Sequence, residues 1–322
     1  MTVSAATRRA LGRAHPTGSR RWSGEWGAPA DQPPPAVSVL VPTADRPAEL
    51  ATTLAGLAAQ DDPPFEVVVS DQSQGDPSWS APAARAMTRV LQAQGRPVRV
   101  LRHRPRRGLA EHREHLLGLA SAPEVLFLDD DVWLEPGTLE RMHEALVSLG
   151  CGFVGSAVQG LSYLGDRRPG EEEPFEPWEG PVEPETVTRS SPAFRRWPLH
   201  NAANLTHVAS RLHLDPGTSV PYRVAWVGGC VLYRRDALLQ AGGFGFARWL
   251  PPDHVGEDVL AQWQVMERDG GAGLVPSGAV HLEAPTTVPD RSTNAPDVLS
   301  GGAPDHHTTG SRQAPREDGE EG

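Results

Sequence analysis

Val125-Leu126-Phe127-Leu128-Asp129-Asp130-Asp131 runs four apolar residues straight into three acids. An apolar run this short, bounded by polar residues, reads as a buried strand. Working outward, 36–41 (AVSVLV) and 65–70 (FEVVVS) are strands of the same kind, and 98–101 is a fourth. Between them, apolar residues recur at helical spacing over 47–60 (Leu50, Leu54, Leu57, Ala58), 83–94 and 109–120. Strands alternating with helices predict an α/β fold with a mostly parallel central sheet covered on both faces. Such a sheet binds its ligand at the carboxyl ends of the strands, where Asp71 and the three aspartates fall.

The chemistry of the triple acid follows from strand geometry. Successive side chains alternate faces, so Asp129 and Asp131 are expected on one side and Asp130 on the other. Two half-buried carboxylates on one face repel unless a cation or protons neutralise them. Hard oxygen donors suit Mg²⁺ or Mn²⁺ completed by substrate phosphates. The competing reading makes one aspartate a cap for a helix over 136–149. Asp71 either accepts a hydrogen bond from a nucleobase N–H or starts a turn with Gln72 and Ser73.

Composition narrows the function classes. The 322 residues carry a formal net charge of −11 and include no Lys and no Ile. An acidic chain is a poor nucleic-acid partner, since that affinity rests on neutralising phosphates. The arginines at 96, 99, 102, 104, 106 and 107 lack interleaved aromatics and read as a solvated loop or an attractor for an anionic donor. Two cysteines make no disulfide framework, and no run approaches a membrane span. We expect a cytoplasmic protein from a high-GC bacterium, with peripheral membrane contact left open.

The second half is less regular. Residues 160–221 are rich in Pro and contain Glu171-Glu172-Glu173, as in a loop-rich insertion. A strand is predicted over 223–234, helices over 236–241 and 257–268, and strands over 273–282. We divide the chain into a disordered tail (1–35), one domain (36–283) and a second disordered tail (284–322). The domain splits into a nucleotide-binding half (36–158), an insertion (159–221) and an acceptor or catalytic half (222–283). In the insertion, His200, His207 and His213 lack metal-ligand spacing. Tyr163, Phe175, Trp178, Phe194 and Trp197 either stack on a sugar or anchor the loop.

These pieces resemble a known family. VSVLVPTADRPAEL, VVVSDQS, GLAEHREHL and VLFLDDDVWLEPGTL are similar to the nucleotide-binding half of family 2 glycosyltransferases of the GT-A fold. Trp226-Val227-Gly228-Gly229-Cys230 resembles that fold's glycine loop, Gly256-Glu257-Asp258 its x-E-D motif, and His281 its C-terminal histidine. The resemblance implies an inverting, metal-dependent transfer of a sugar from a UDP-, GDP- or dTDP-linked donor to an acceptor hydroxyl. Thr43, Asp45 and Arg46 then lie near the donor nucleotide, with Asp45 where the family usually has Asn. It also implies that Asp71 recognises the base, and that Arg113 faces the diphosphate, with Glu114 in place of the usual asparagine. Asp131 would bind the metal (Mn²⁺ or Mg²⁺) with His281, while Asp129 or Asp130 holds the ribose or a metal water. Asp258 is the base, beside Glu257, and Gly228 and Gly229 clear space for the sugar.

The same residues have blander roles. Glu257 and Asp258 could be first-turn acids kept ionised by the helix dipole, His281 a core histidine, and the glycine pair a bulge. A sugar nucleotidyltransferase would need a glycine-rich loop after the first strand, which VPTADRPAEL lacks. A glycosidase needs two carboxylates flanking one bond, which adjacent Glu257 and Asp258 cannot do. A nucleotide-sugar binder without turnover is the non-enzymatic alternative.

Overall fold

In the computed structural model, residues 18–29, 33–215, 217–286 and 292–300 are described. Every residue of β1 (Val37–Thr43) and β2 (Phe65–Asp71) is buried, which is why both read as unbroken apolar runs instead of alternating ones. They join β3 (Val98–Arg102), β4 (Glu124–Leu128), β6 (Phe153–Gly155), β8 (Val220–Tyr222), β9 (Cys230–Arg234) and β10 (Gly271–Val275) in one sheet of order β3-β2-β1-β4-β9-β6-β10-β8. All but β8 and β9 run in one direction. The sheet is thus mostly parallel, as the alternating pattern predicts.

Each face carries its own core. On one side α1 (Pro47–Ala58), α2 (Pro82–Ala93) and α4 (Thr138–Leu149) bury Leu50, Leu54, Leu91, Met142 and Leu146. On the other, α3 (Leu109–Leu119), α6 (Asn204–Leu212), α7 (Arg235–Gln240) and α8 (Glu257–Asp269) bury Leu116, Val208, Leu238, Ala261 and Val265. A short helix, α5 (Pro169–Glu172), lies in the insertion, and α9 (Ala295–Ser300) follows the last strand. A second sheet, β5-β11-β7, pairs β5 (Val132–Leu134) antiparallel with β11 (Ala279–His281), flanked by β7 (Gln159–Gly160). Its register sets His281 opposite Val132, and so beside Asp131.

Four expectations change. The strand predicted over 223–234 begins only at Cys230, because side chains, not a ladder, satisfy the backbone before it. Part of the first tail is ordered: 18–29 docks on the turn after α1, with the Ser19 amide donating to Asp62 Oδ1 (2.8 Å) and the Arg21 amide to the Gln94 carbonyl (3.0 Å). Part of the second tail is ordered too, since α9 packs at the start of α8, where the Ala295 amide bonds the Val255 carbonyl (2.8 Å). Residues 1–17, 30–32, 287–291 and 301–322 of the two tails lie outside the described residues. Finally, the insertion holds helices as well as loops, and its aromatics are anchors. Phe194 and Trp197 pack on Trp226, Phe175 on Tyr222, and Arg223 lies over Trp178.

Candidate functional site

The ends of β1, β2 and β4 converge on the three aspartates. The strand stops at Leu128, so the acids occupy a turn and alternation does not sort them. Asp130 points to β1, accepting from Thr43 Oγ1 (2.6 Å) and from Arg46 Nη1 (3.1 Å). Burial pushes its carboxyl up to about 7 against those two contacts. Asp131 Oδ2 accepts from the same Arg46 Nη1 (2.6 Å) and faces His281 Nε2 at 3.6 Å. Burial and the Asp129 charge raise its pKa, opposed by His281 and Arg46. Asp129 turns away, its Oδ1 accepting from Arg113 Nη2 (2.9 Å). The Asp129 charge still raises the Asp131 pKa, so the two carboxylates remain neighbours across the turn.

Asp71 lies fully buried, with one oxygen accepting the Ser73 amide and the other the Ser78 amide, both at 2.6 Å. This is an Asx-type turn, the second of the two readings of Asp71, and it anchors the loop. Asp45, in the left-handed region at φ 58°, donates its amide to Ser73 Oγ (2.8 Å) and accepts the Gln74 amide (3.1 Å), so it fastens that loop to β1. Arg102 fastens it from β3, donating to the Ser73 and Gly75 carbonyls (3.0 and 2.7 Å). Beside these loops a cavity of about 370 Å³ is lined by Asp45, Arg46, Glu49, Arg106 and Pro285. A larger one, about 600 Å³, lies at the start of α4 among Glu135, Glu140, Glu144 and Asp215, a lining too acidic for a diphosphate.

The second half of the site is built on α8. Glu257 is buried and bonded to Arg113 Nε (3.0 Å). Arg113, only 4% exposed, therefore spans Asp129 and Glu257. Arg113 thus forms an ion bridge between the two carboxylates, and Glu257 is buried against it. Asp258 is half-buried. Burial, then the Glu257 charge, pushes its carboxyl up to about 7 against Arg113, so the helix dipole does not hold it at an ordinary value.

Gly228 lies beside Asp258. A Cβ there would meet nothing but Asp258 Oδ2, at 3.8 Å. Gly229 has φ 78°, a conformation glycine adopts without strain, and its carbonyl accepts the Asp129 amide (2.9 Å). The glycine loop thus links Asp258 on α8 to Asp129 at the end of β4.

Sequence reasoning missed two residues that hold this arrangement. Gln262 clasps the loop, accepting the Val227 amide and donating to the Val227 carbonyl, both at 2.7 Å. Its spacing of four from Asp258, one helical turn, was the available signal. His254 caps α3, with Nε2 accepting the Ala110 amide (3.1 Å) and Nδ1 donating to the Pro251 carbonyl (2.6 Å). No pattern near His254 announces that. Glu114 accepts the Phe244 amide (2.8 Å), which accounts for an acid at that position. His200, His207 and His213 bond Tyr222, the Leu164 carbonyl and the Arg211 carbonyl, away from the site. Among the described residues no three His, Cys, Asp or Glu side chains group as metal ligands, and no helix is long and apolar enough to cross a membrane.

Comparison with known proteins adds a family. Residues 38–199, half of the chain, match the sequence profile of Glycosyl transferase family 2. No curated protein matches. The fold resembles that of TarS 1-349 from S. aureus in complex with UDP-GlcNAc, with a TM-score of 0.52 at 16% identity over 78% of this chain and 60% of that one. The mannosyltransferase PcManGT from Pyrobaculum calidifontis, in complex with GDP-Man and Mn²⁺, gives a TM-score of 0.49 at 20% identity over 82% of this chain and 64% of that one. The chain thus spans about three fifths of the length of these structures. The profile match over half of its length, carried on a GT-A sheet with acids at its strand ends, makes this protein a member of glycosyl transferase family 2.

Proposed function

We propose that the protein transfers a sugar, of the hexosyl type, from a nucleoside-diphosphate donor to an acceptor hydroxyl with inversion, using Asp258 as general base and a divalent cation at Asp131 and His281. The observation that carries this reading is the glycine loop. Its Gly228 leaves a floor bare of side chains in front of Asp258, and its Gly229 is bonded to Asp129 on the donor side.

Asp258 suits the role of base. A carboxylate with a pKa near neutral accepts a proton better than an ordinary one and is still substantially ionised at working pH. Glu257 is buried against Arg113, which leaves one free carboxylate on this side and favours single displacement over a covalent intermediate. Thr43 and Asp45 hold the loops around the donor, and the 370 Å³ cavity beside them offers Arg46 and Arg106 to an anion in a lining shared with Asp45 and Glu49.

The donor set fits a cation. Asp131 Oδ2 would hold it; His281 Nε2 lies 3.6 Å from that oxygen, but its Nδ1 accepts the Glu283 amide (2.8 Å), so the ring would join the ion as the other tautomer, once that hydrogen bond is given up. Such an ion supplies charge neutralisation on the departing diphosphate. Asp129, paired with Arg113 yet partly exposed, is left to meet the donor ribose. The reading places the enzyme in the cytoplasm of a bacterium, in keeping with two free cysteines.

Calorimetric titration with UDP, GDP and dTDP, with and without Mn²⁺, tests it. Metal-dependent binding of one nucleotide is expected and identifies the donor class. No binding of any of them to folded protein with metal present would sink the reading.

A further inference from the structure

The carboxylates read above as a metal site already hold a cation. Arg46 Nη1 lies 3.1 Å from Asp130 Oδ1 and 2.6 Å from Asp131 Oδ2. The Asp131 oxygen it holds is the one that faces His281 at 3.6 Å. A divalent ion between Asp131 and His281 and the Arg46 guanidinium therefore claim one oxygen, and their like charges oppose sharing it. Arg46 is placed to leave. It sits at the mouth of α1, lines the 370 Å³ cavity, and its Nη2 donates to the Pro285 carbonyl just past His281. A guanidinium on that wall matches the forked geometry of a phosphate.

We propose that Arg46 is an exchangeable counter-ion: without donor it neutralises Asp130 and Asp131 in the metal's place, and it passes to the donor diphosphate as the metal enters. Cation and nucleotide then bind as a coupled pair. The inference rests on the metal reading above, and it goes beyond that reading by making the order and affinity of metal binding depend on one arginine. Arg113 offers the contrast. Also paired with two carboxylates, Arg113 has a side chain 5% exposed and bonded to that of Glu257, 4% exposed, so releasing it would leave that carboxylate unpaired in the interior.

The experiment counts bound Mn²⁺ by electron paramagnetic resonance on the full chain, with Mn²⁺ alone and with UDP or GDP added. In the wild type, Mn²⁺ alone binds weakly and nucleotide tightens it. By linkage, Mn²⁺ tightens nucleotide by the same factor. In Arg46→Gln, Mn²⁺ alone binds at least tenfold more tightly and the coupling factor falls toward one. The tightened site disappears in the double variant R46Q/D131A. Arg46→Lys, which keeps the charge but not the bridge, shows a smaller rise of the same sign and carries the test if Arg46→Gln does not fold.

Unchanged Mn²⁺ affinity and coupling in folded Arg46→Gln, or a tightened site that survives D131A, overturns the inference while leaving the metal reading standing. Absence of Mn²⁺ binding in every protein, with and without nucleotide, overturns the metal reading and the inference together.

Discussion

Two groups of carboxylates meet in this site, and each is neutralised by an arginine in a different way. At the end of β4, Asp130 and Asp131 share Arg46, whose side chain is 12% exposed on a cavity wall. At the start of α8, Glu257 shares Arg113 with Asp129, and both partners of the Arg113–Glu257 bond are buried. The contacts are alike in length and the settings differ. An interior pair cannot exchange partners without leaving an unpaired charge out of water, whereas a pair at a cavity mouth can trade one anion for another. Arg113 thus belongs to the framework under α8, and Arg46 to the cavity wall where, on the reading proposed above, the donor binds.

The largest effect expected is on the base itself. Asp258→Asn should lower kcat by roughly 10³ while nucleotide affinity stays within about threefold, as expected when a positioned general base is removed. Asp131→Ala should do the reverse, abolishing the Mn²⁺-dependent part of nucleotide binding. Wild-type turnover in Asp258→Asn would show that the base lies elsewhere. Because burial and Glu257 lift the Asp258 pKa to about 7, the wild-type rate should climb with pH across the neutral range instead of levelling off near pH 5. Protonation below that value removes the base. A pH–rate profile already flat from pH 5 upward would contradict the assignment.

Next in size is the contrast between the arginines. Arg113→Met leaves the buried Glu257 carboxylate unpaired and should cost about 3–5 kcal/mol of stability. Arg46→Met strips the guanidinium from two buried carboxylates but opens them to the neighbouring cavity, where water or a proton can take its place, and should cost less, about 1–3 kcal/mol. Urea titrations of both variants decide the matter, and equal losses would erase the distinction drawn here.

The clasp on the glycine loop comes third. Gln262→Leu removes both partners of the Val227 amide and carbonyl, which are buried, and should cost about 1–3 kcal/mol. It should also lower kcat with little change in nucleotide affinity, since the displaced element is the floor before Asp258 and not the donor loops. A fall in nucleotide affinity with kcat preserved would mean that the loop serves the donor side.

What the sequence reveals about this site follows from the range of each interaction. β1, β2 and β4 are legible because burial on both faces demands continuous apolar residues within a few positions of chain. The place of Asp129–131 at a strand end is legible for the same reason. Their directions are not, because the turn beginning at Asp129 takes its geometry from Thr43, Arg46 and Arg113, all distant in sequence. Arg113 can be picked out as a neighbour of the site, but its bond to Glu257 crosses 144 residues and no spacing encodes it. The segment 223–229 looks like strand because Val224, Ala225 and Val227 are apolar and buried. Only Gln262 and Trp263, on another element, show that its backbone is satisfied without a ladder. The docked segment 18–29 is hidden by a composition of Gly, Ser and Arg, because its hold on the domain runs through backbone carbonyls and Asp62 instead of an apolar stripe.

The smallest effect expected separates the two halves by pH. His112 lies under β2 with Nε2 on Ser70 Oγ (2.8 Å), and burial lowers its pKa to about 3. His200, in the insertion, is lowered to about 4, also by burial. Each stays neutral in the fold while its unfolded counterpart takes up a proton below about pH 6.5. Their stabilising effect is therefore full above pH 6.5 and is lost as pH falls from there toward 4, at up to about 1.4 kcal/mol per pH unit for each histidine. His112→Gln, whose amide can still reach Ser70, should remove one of the two increments from the slope and leave the other, and His200→Gln the converse. Urea unfolding at pH 7.5, 6 and 5 measures both slopes. If His112→Gln leaves the acid slope unchanged, the parallel-sheet half does not sense pH through its buried histidine. The loss would then belong to the insertion, which holds His200 against Tyr222 and sits outside the parallel strands that carry the aspartates.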